Sequence, residues 1–383
     1  MERFVAAVTG TSVVVTILAF VSAMVVGALF IALSEEAVRE SMGYFLARPT
    51  DALSAAWSVS AEAYAALFRG AVGGAYQLSE TGTAAIPLIL TGLAVAIPLR
   101  AGMFNIGGEG QVIAGGVVAG FVGFALTGLP FLVHLPLAIL AGILGGAAYG
   151  FLPGILKART GAHEVITTIM LNNIAIYVTD YLLSTDRFRL EGRSDPISKT
   201  VEASAVLPRI FAGLRLHWGL LLVVVVAVVI WWLLERSTFG FELTAVGKNP
   251  DAARAAGMST GRMIVLGLTL AGALAGLAGG AQILGLQQRI TGGFSGGLGF
   301  DGITVALLGR GSVGGTVAAG VLFGALKAGG RSMQGATGTS LDLVVVLQAL
   351  IILFVAAPAL VRAIFRIRAE GPATGQLAKG WGA

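Results

Sequence analysis

Cysteine is absent from the chain, histidine occurs three times, and charge is scarce: 25 Lys and Arg with 20 Asp and Glu, 12% of 383 residues. Without cysteine there are no disulfides, zinc thiolates, iron–sulfur clusters or thiol nucleophiles, and the redox compartment leaves no mark. Soluble chains carry about 25% charged residues. The composition therefore excludes a soluble enzyme, a disordered chain and a nucleic-acid binder. His134, His163 and His217 lack metal-ligand spacing, and no Ser–His–Asp grouping or G-x-S-x-G elbow occurs. Gly247-Lys248 is followed by Asn, with no glycine five residues before Gly247, so there is no P-loop. No cofactor is expected.

What the chain does hold is apolar surface and glycine: 56% hydrophobic residues, mean hydropathy +0.87 and 56 glycines, roughly twice ordinary glycine usage. This is the composition of an integral membrane protein. The pI of 9.7 with a net charge of only +5 fits basic residues that orient the chain in lipid rather than a nucleic-acid surface.

About 20 apolar residues span a bilayer core as a helix. Spans are predicted at Thr11–Leu33, Thr83–Ala101, Asn105–Thr127, Phe131–Pro153, Val165–Ser184, Trp218–Leu234 and Met263–Gly285. Phe300–Arg310 is about half a span, Gly314–Gly330 is short, and Leu341–Arg362 is full length. The expectation is an all-α polytopic protein with about ten transmembrane helices, one of them a half-helix or re-entrant segment. Residues 1–82 read as a first span plus an external segment and 83–362 as the main transmembrane domain. A cytoplasmic loop at about 235–262 and a cytoplasmic tail at 363–383 complete the organisation.

Orientation follows Lys/Arg bias. Lys157, Arg159, Arg362, Arg366 and Arg368 mark cytoplasmic ends, while six acids against three arginines place Glu35–Glu80 outside. Asp186–Arg215 falls outside by count yet carries Arg187, Arg189, Arg193, Lys199, Arg209 and Arg215, against the rule.

Glycine in the spans reads first as close helix packing, with Gly267, Ala271, Ala275 and Gly279 at four-residue spacing. Its other reading is broken helices around a pathway. Gly292–Gly297 cannot sustain a helix and is expected to form a loop or re-entrant turn. Gly115–Phe124 and Gly314–Phe323 resemble each other, a hint of duplicated halves.

Three polar stretches carry the functional signal. In Gly102–Gln111 a carboxylate and two amides, Glu109 with Asn105 and Gln111, enter an apolar span. A Glu in lipid costs at least roughly 2 kcal/mol, so Glu109 either caps a helix start or lines a pathway. In His163–Asn173, Glu164 suits a helix N-terminus, and Asn172 and Asn173 sit two turns into the span. They bond between helices or meet a polar solute. Gln282, Gln287, Gln288 and Asp301 add polarity near the glycine turn. The third stretch, Ala245–Gly257, has Asn249 as N-cap, Pro250 in the first turn and Gly257 as stop. It is a short Ala-rich helix flanked by Lys248 and Arg254, either lying in the membrane interface or presented to a partner.

These three stretches resemble the permease subunits of ABC importers in the branched-chain amino acid/ribose-type superfamily, specifically the nucleoside/simple-sugar branch. The resemblance runs from about Thr83 to Arg362 and rests on Phe104–Gln111, Glu164–Asn172 and Ala245–Gly257. A branched apolar residue often stands in that family where this chain has Gly108, which adds flexibility here. The resemblance implies an ABC permease fold in a prokaryotic cytoplasmic (inner) membrane, with a separate ABC ATPase, a second permease subunit, a substrate-binding protein and membrane lipid as partners. It implies nucleosides or a related sugar-like solute as cargo, with ribose-type sugars or branched-chain amino acids as the alternative. It makes Gly247, Lys248, Asn249, Pro250, Ala253, Arg254 and Gly257 the ATPase-coupling loop. Asn105, Glu109, Gln111, Asn172, Asn173, Gln282 and Asp301 are the pathway candidates. An ion-coupled secondary transporter would need more intramembrane ionisable groups than Glu109, Asp180 and Asp301, and a membrane enzyme lacks a catalytic constellation.

Overall fold

A computed structural model describes residues 11–366. Arg368 and most of the expected tail lie outside them. Among the described residues there are helices and three isolated bridges but no strand. In chain order the α-helices are α1 (Thr11–Ser34), α2 (Glu36–Met42), α3 (Pro49–Val72), α4 (Ala75–Arg100), α5 (Gly108–Ala125), α6 (Phe131–Thr160), α7 (Glu164–Ser184), α8 (Gly219–Arg236), α9 (Thr238–Lys248), α10 (Pro250–Ala255), α11 (Thr260–Gln282), α12 (Leu298–Leu308), α13 (Val313–Thr337), α14 (Leu341–Ala356) and α15 (Pro358–Ile364). Eight are long and apolar enough to cross a membrane; α14 and α15 form a further passage bent by 85° at a short break. With the 11-residue α12, the ten expected passages are all present.

Two compact units divide the chain. Of the described residues, the first comprises 11–66 and 333–366. In it α14 packs on α1, and the Tyr64 hydroxyl donates to the Met24 carbonyl (2.6 Å). Helix α3, which the sequence reading left as external loop, is amphipathic rather than apolar, with Ala52, Ala63 and Ala66 buried and Leu53, Trp57 and Phe68 exposed.

The second unit, 67–332, is built on α4 and α11, which run in opposite directions. The start of α4 meets the 186–217 segment through Ser79, whose hydroxyl accepts from the Arg215 and Leu216 N–H groups. The far end of α11 meets the same segment, where the Leu207 N–H donates to the Leu284 carbonyl (2.9 Å). At the opposite face Arg100, closing α4, pairs with Glu235. Each long helix is followed by an extended passage and then a shorter helix. Residues 101–107 lead to α5, and 288–297 lead to α12. Helix α5 runs toward the 186–217 face, where Gly123 lies against Val201, and α12 runs away from it. Helices α6 and α13 then close on α11 and α4. The arrangement is an inverted repeat in which α4, α5 and α6 correspond to α11, α12 and α13. The Gly115–Phe124 and Gly314–Phe323 runs therefore belong to non-equivalent helices.

Glycine serves close packing here. Gly142, Gly146 and Gly150 of α6 meet Gly272 and Gly276 of α11 backbone to backbone, and a Cβ at Gly146 or Gly272 would overlap the facing chain. Lipid gives helices no hydrophobic reason to associate, so dispersion at such contacts carries the packing. The basic 186–217 segment is a folded cap. Arg189 pairs with Asp186, Arg193 with Asp195, Lys199 with Glu191, and Arg215 with Glu80. Four of its six cations thus have acidic partners, and a folded segment of this kind is little bound by the Lys/Arg bias of short loops.

Candidate functional site

The two extended passages meet where α5 and α12 begin. Pro98 and Gly102 (φ +70°) end α4, and 103–107 run without helix. A non-helical backbone at membrane depth must find its hydrogen bonds in neighbouring protein, and buried amides supply them. The Asn105 Nδ2 donates to Gln111 Oε1 (2.9 Å), and Asn105 Oδ1 accepts from the Gly107 N–H (3.1 Å). Asn172, on α7, brackets the same turn: its Oδ1 accepts from the Gly110 N–H (2.8 Å) and its Nδ2 donates to the Ile106 carbonyl (2.9 Å). Glu164 receives the Phe104 N–H (3.4 Å) and the Lys157 ammonium (2.5 Å).

The second passage is held differently. Gly293, Gly296 and Gly297 all lie at positive φ, the left-handed region open to glycine. Glu109, 5% exposed, crosses from α5 to close it. Its Oε1 accepts from the Ser295 hydroxyl (2.5 Å) and the Gly297 N–H (3.1 Å), and its Oε2 accepts from the Gly299 N–H (2.8 Å). The carboxylate thus caps the start of α12, satisfying N–H groups that the helix leaves free and opposing the positive end of its dipole. Glycine is required at Gly299, where a Cβ would overlap the Gly108–Glu109 backbone.

The structure brings Asn105, Glu109, Gln111 and Asn172 together. Asp301 lies one turn into α12 and pairs with Lys327 of α13 (2.5 Å). Asn173 turns outward, its Nδ2 bonded to its own helix at Ile169 (3.1 Å). Gln282 closes α11 without joining the junction. Sequence reading missed Ser295, Gly297 and Gly299 as partners of Glu109, and Lys327. Lys327 was visible as a lone cation in an apolar run. A cleft of about 190 Å³ opens beside the junction, lined by Glu109, Thr179, Asp180 and the 293–297 loop.

At the opposite end α9 and α10 form a compact elbow. Asn249 Oδ1 accepts from the N–H groups of Asp251 (3.1 Å) and Ala252 (3.0 Å), and Gly257 (φ +85°) stops the turn. Lys248, Pro250, Arg254 and Gly257 are exposed, with Arg254 paired to Asp251 (3.1 Å). Ala253 is buried beneath α10 rather than displayed. Gly247 lies against the Arg100–Ala101 backbone, so the elbow abuts the start of the 101–107 passage.

A paired set of broken helices with a buried polar junction defines a membrane permease, and the comparisons agree. Residues 77–356 match the family described as branched-chain amino acid transport system / permease component; the chain belongs to it. It is 42% identical to the guanosine ABC transporter permease protein NupP of Bacillus subtilis, over 79% of this chain and 87% of that one. It is 37% identical to the glucose ABC transporter permease protein TsgB13 of Haloferax volcanii (76% and 79% covered) and 35% identical to the nucleoside ABC transporter permease protein NupB of Lactococcus lactis (76% and 82%). No solved structure matches.

Proposed function

We propose that this chain is a permease subunit of an ATP-driven importer that moves nucleosides across the cytoplasmic membrane of a prokaryote. The observation that carries the reading is its identity, over three quarters of its length, to permeases named for guanosine and for nucleosides. The glucose permease among the relatives keeps related sugar-like solutes as the second reading.

In this reading a substrate-binding protein delivers solute at the 186–217 face, outside, and the chain pairs with a second permease subunit. ATP is hydrolysed on a separate ABC subunit docked at the α9–α10 elbow in the cytoplasm. The elbow supports this role: it is short, capped and exposed, and an isolated helix under about 12 residues is marginal in water. Motion entering at α10 passes through Gly247 to the Arg100–Gly102 end of α4, then along 103–107 to Asn105, Glu109, Gln111 and Asn172. These residues shape the helix breaks that bound the pathway.

The test is uptake by the complete importer, with and without this chain, of radiolabelled guanosine, ribose, glucose and leucine. Guanosine uptake that depends on the chain and resists excess leucine supports the reading; transport of leucine alone overturns it. For the elbow, Ala255→Trp on the exposed face of α10 should abolish uptake and ATPase co-purification at unchanged expression. Ala253→Trp, by contrast, should reduce the amount of protein.

A further inference from the structure

The exposed surface of α7 carries Ile166, Met170, Ile174 and Val178, as a lipid-facing helix does, but a polar stripe runs through it toward the end of the helix. Asn173, Tyr177, Asp180, Tyr181 and Ser184 are all exposed and fall on adjoining faces at three- and four-residue spacing. Asp180 has no hydrogen-bond or ion-pair partner among the described residues. A carboxylate on a membrane-spanning helix faces water, a partner or a solute, because lipid makes it expensive.

Asp180 stands at the rim of the cleft beside Glu109, and the cleft supplies complementary groups. Thr179 is buried next to it with its hydroxyl donating to the Ala175 carbonyl (2.8 Å), which leaves its oxygen lone pairs free to accept. In the facing loop the Gly293 and Ser295 N–H groups donate to nothing among the described residues. Side chains at Gly293, Gly296 or Gly297 would meet open space. Ile113, Ile176 and Phe294 make the apolar walls. The volume of about 190 Å³ lies below the roughly 300 Å³ at which pockets begin to enclose drug-sized ligands. It admits a single ring.

We propose that this cleft is a transit site for the ribose ring of a nucleoside, with the Asp180 carboxylate accepting both hydroxyls of the cis-diol. The proposal rests on the nucleoside reading above. Two adjacent O–H donors match two carboxylate oxygens, as a guanidinium fork does, and the loop N–H groups donate to the hydroxyl oxygens in return. The base remains outside the cleft, over Tyr177. Glu109 takes no part in contacting the sugar; its three hydrogen bonds hold the loop that forms the opposite wall.

The test compares initial uptake of guanosine and 2′-deoxyguanosine by the complete importer, with wild-type chain and with Asp180→Asn, using the same binding protein throughout. Losing one charge-assisted bond should cost roughly tenfold, so Asp180→Asn should lower the guanosine to deoxyguanosine uptake ratio about tenfold. An unchanged ratio, whether both rates fall together or neither moves, overturns the proposal. A second measurement needs no transport: Tyr177→Cys, which keeps the Asp180 carboxylate and is the only cysteine in the chain, should react with a water-soluble thiol reagent in permeabilised cells and be protected by guanosine. Absence of reaction would mean that the second subunit covers the stripe, and the proposal fails. A wild-type importer that carries neither nucleoside removes the nucleoside reading itself; normal guanosine uptake with an unchanged ratio removes only the site.

Discussion

The two broken passages of the repeat solve one problem with different means. Residues 101–107 are held from their own half, by Asn105, Gln111 and the Asn172 bracket. Residues 288–292 are tied to the 186–217 segment, where the Ser198 N–H donates to the Ile290 carbonyl, the Ser198 hydroxyl accepts the Ile290 N–H, and the Val201 N–H donates to the Gln288 carbonyl. Residues 293–297 rely on glycine geometry, on the Gln287 amide donating to the Phe294 carbonyl, and on a borrowed group, the Glu109 carboxylate from the other half. Several amides share the first passage, whereas the second is tied to the other half through one side chain, Glu109. If the junction moves during transport, the Glu109 contacts with residues 295–299 are where the two halves can part.

Removing Glu109 breaks this comparison hardest. Glu109→Ala leaves a hydroxyl and two N–H groups buried without partners, each worth about 1–3 kcal/mol. It should lower thermal stability by several degrees and uptake to below a tenth. Glu109→Gln, which still accepts through one oxygen, should insert normally and transport at an intermediate rate. Full uptake by Glu109→Ala at unchanged expression would remove Glu109 from the mechanism.

The cap over the second passage gives the next effect. His217, buried against Gly285 in the turn that follows α11, accepts the Gly219 N–H at Nδ1 (3.1 Å), and burial pushes its imidazole down from 6.5 to about 4. Between those values the unfolded chain takes up a proton that the folded chain refuses. Stability should therefore be full above about pH 6.5, fall as pH drops toward 4 and level off below. The loss is at most about 3 kcal/mol. Melting curves at pH 7.5 and 4.5 should differ less for His217→Gln than for wild type; an equal difference would exonerate the histidine.

A smaller effect is expected in the first passage. Asn172→Leu leaves two backbone groups, the Gly110 N–H and the Ile106 carbonyl, without this partner but keeps the Asn105–Gln111 pair, so by the same measure it should cost about 2 kcal/mol and reduce uptake less than Glu109→Ala does. Should it match Glu109→Ala, the asymmetry between the passages is not real. Least of all, Asn173→Leu should leave melting unchanged, because its amide bonds only its own helix.

Much of this was legible in the sequence, and the reason is locality. Apolar length marked the ten passages, the Gly292–Gly297 run marked a non-helical turn, and Asn249, Pro250 and Gly257 marked a capped elbow. What stayed hidden was set by distant chain. The start of α4 was placed eight residues late because Gln77, Ser79 and Glu80 look like loop until Arg215 and Leu216 cover them. Helix α3 was missed because its amphipathic pattern lacks the length of apolar run sought in a span. Glu109 was weighed as a cap for the helix start beside Gly107 and Gly108, but the helix whose start it bonds begins 189 positions away, counting from Glu109 to Leu298, and no local spacing encodes that. Ala253 looked displayed because an isolated turn shows every face, whereas in the folded elbow it points inward.

The Glu109–Ser295 bond spans 186 residues, and that separation constrains biogenesis. Helix α5 leaves the ribosome long before its acceptor's donors exist, so Glu109 must wait without them at the translocon or near an aqueous surface. Helix α12, 11 residues and about 16 Å long, is too short to be recognised as a membrane span by itself. It should enter only with α13, as a hairpin whose opposite charges, Asp301 and Lys327, neutralise each other on the way in. Completion of the junction is thus a late event in synthesis, and chains truncated before residue 295 should remain substrates for membrane quality control.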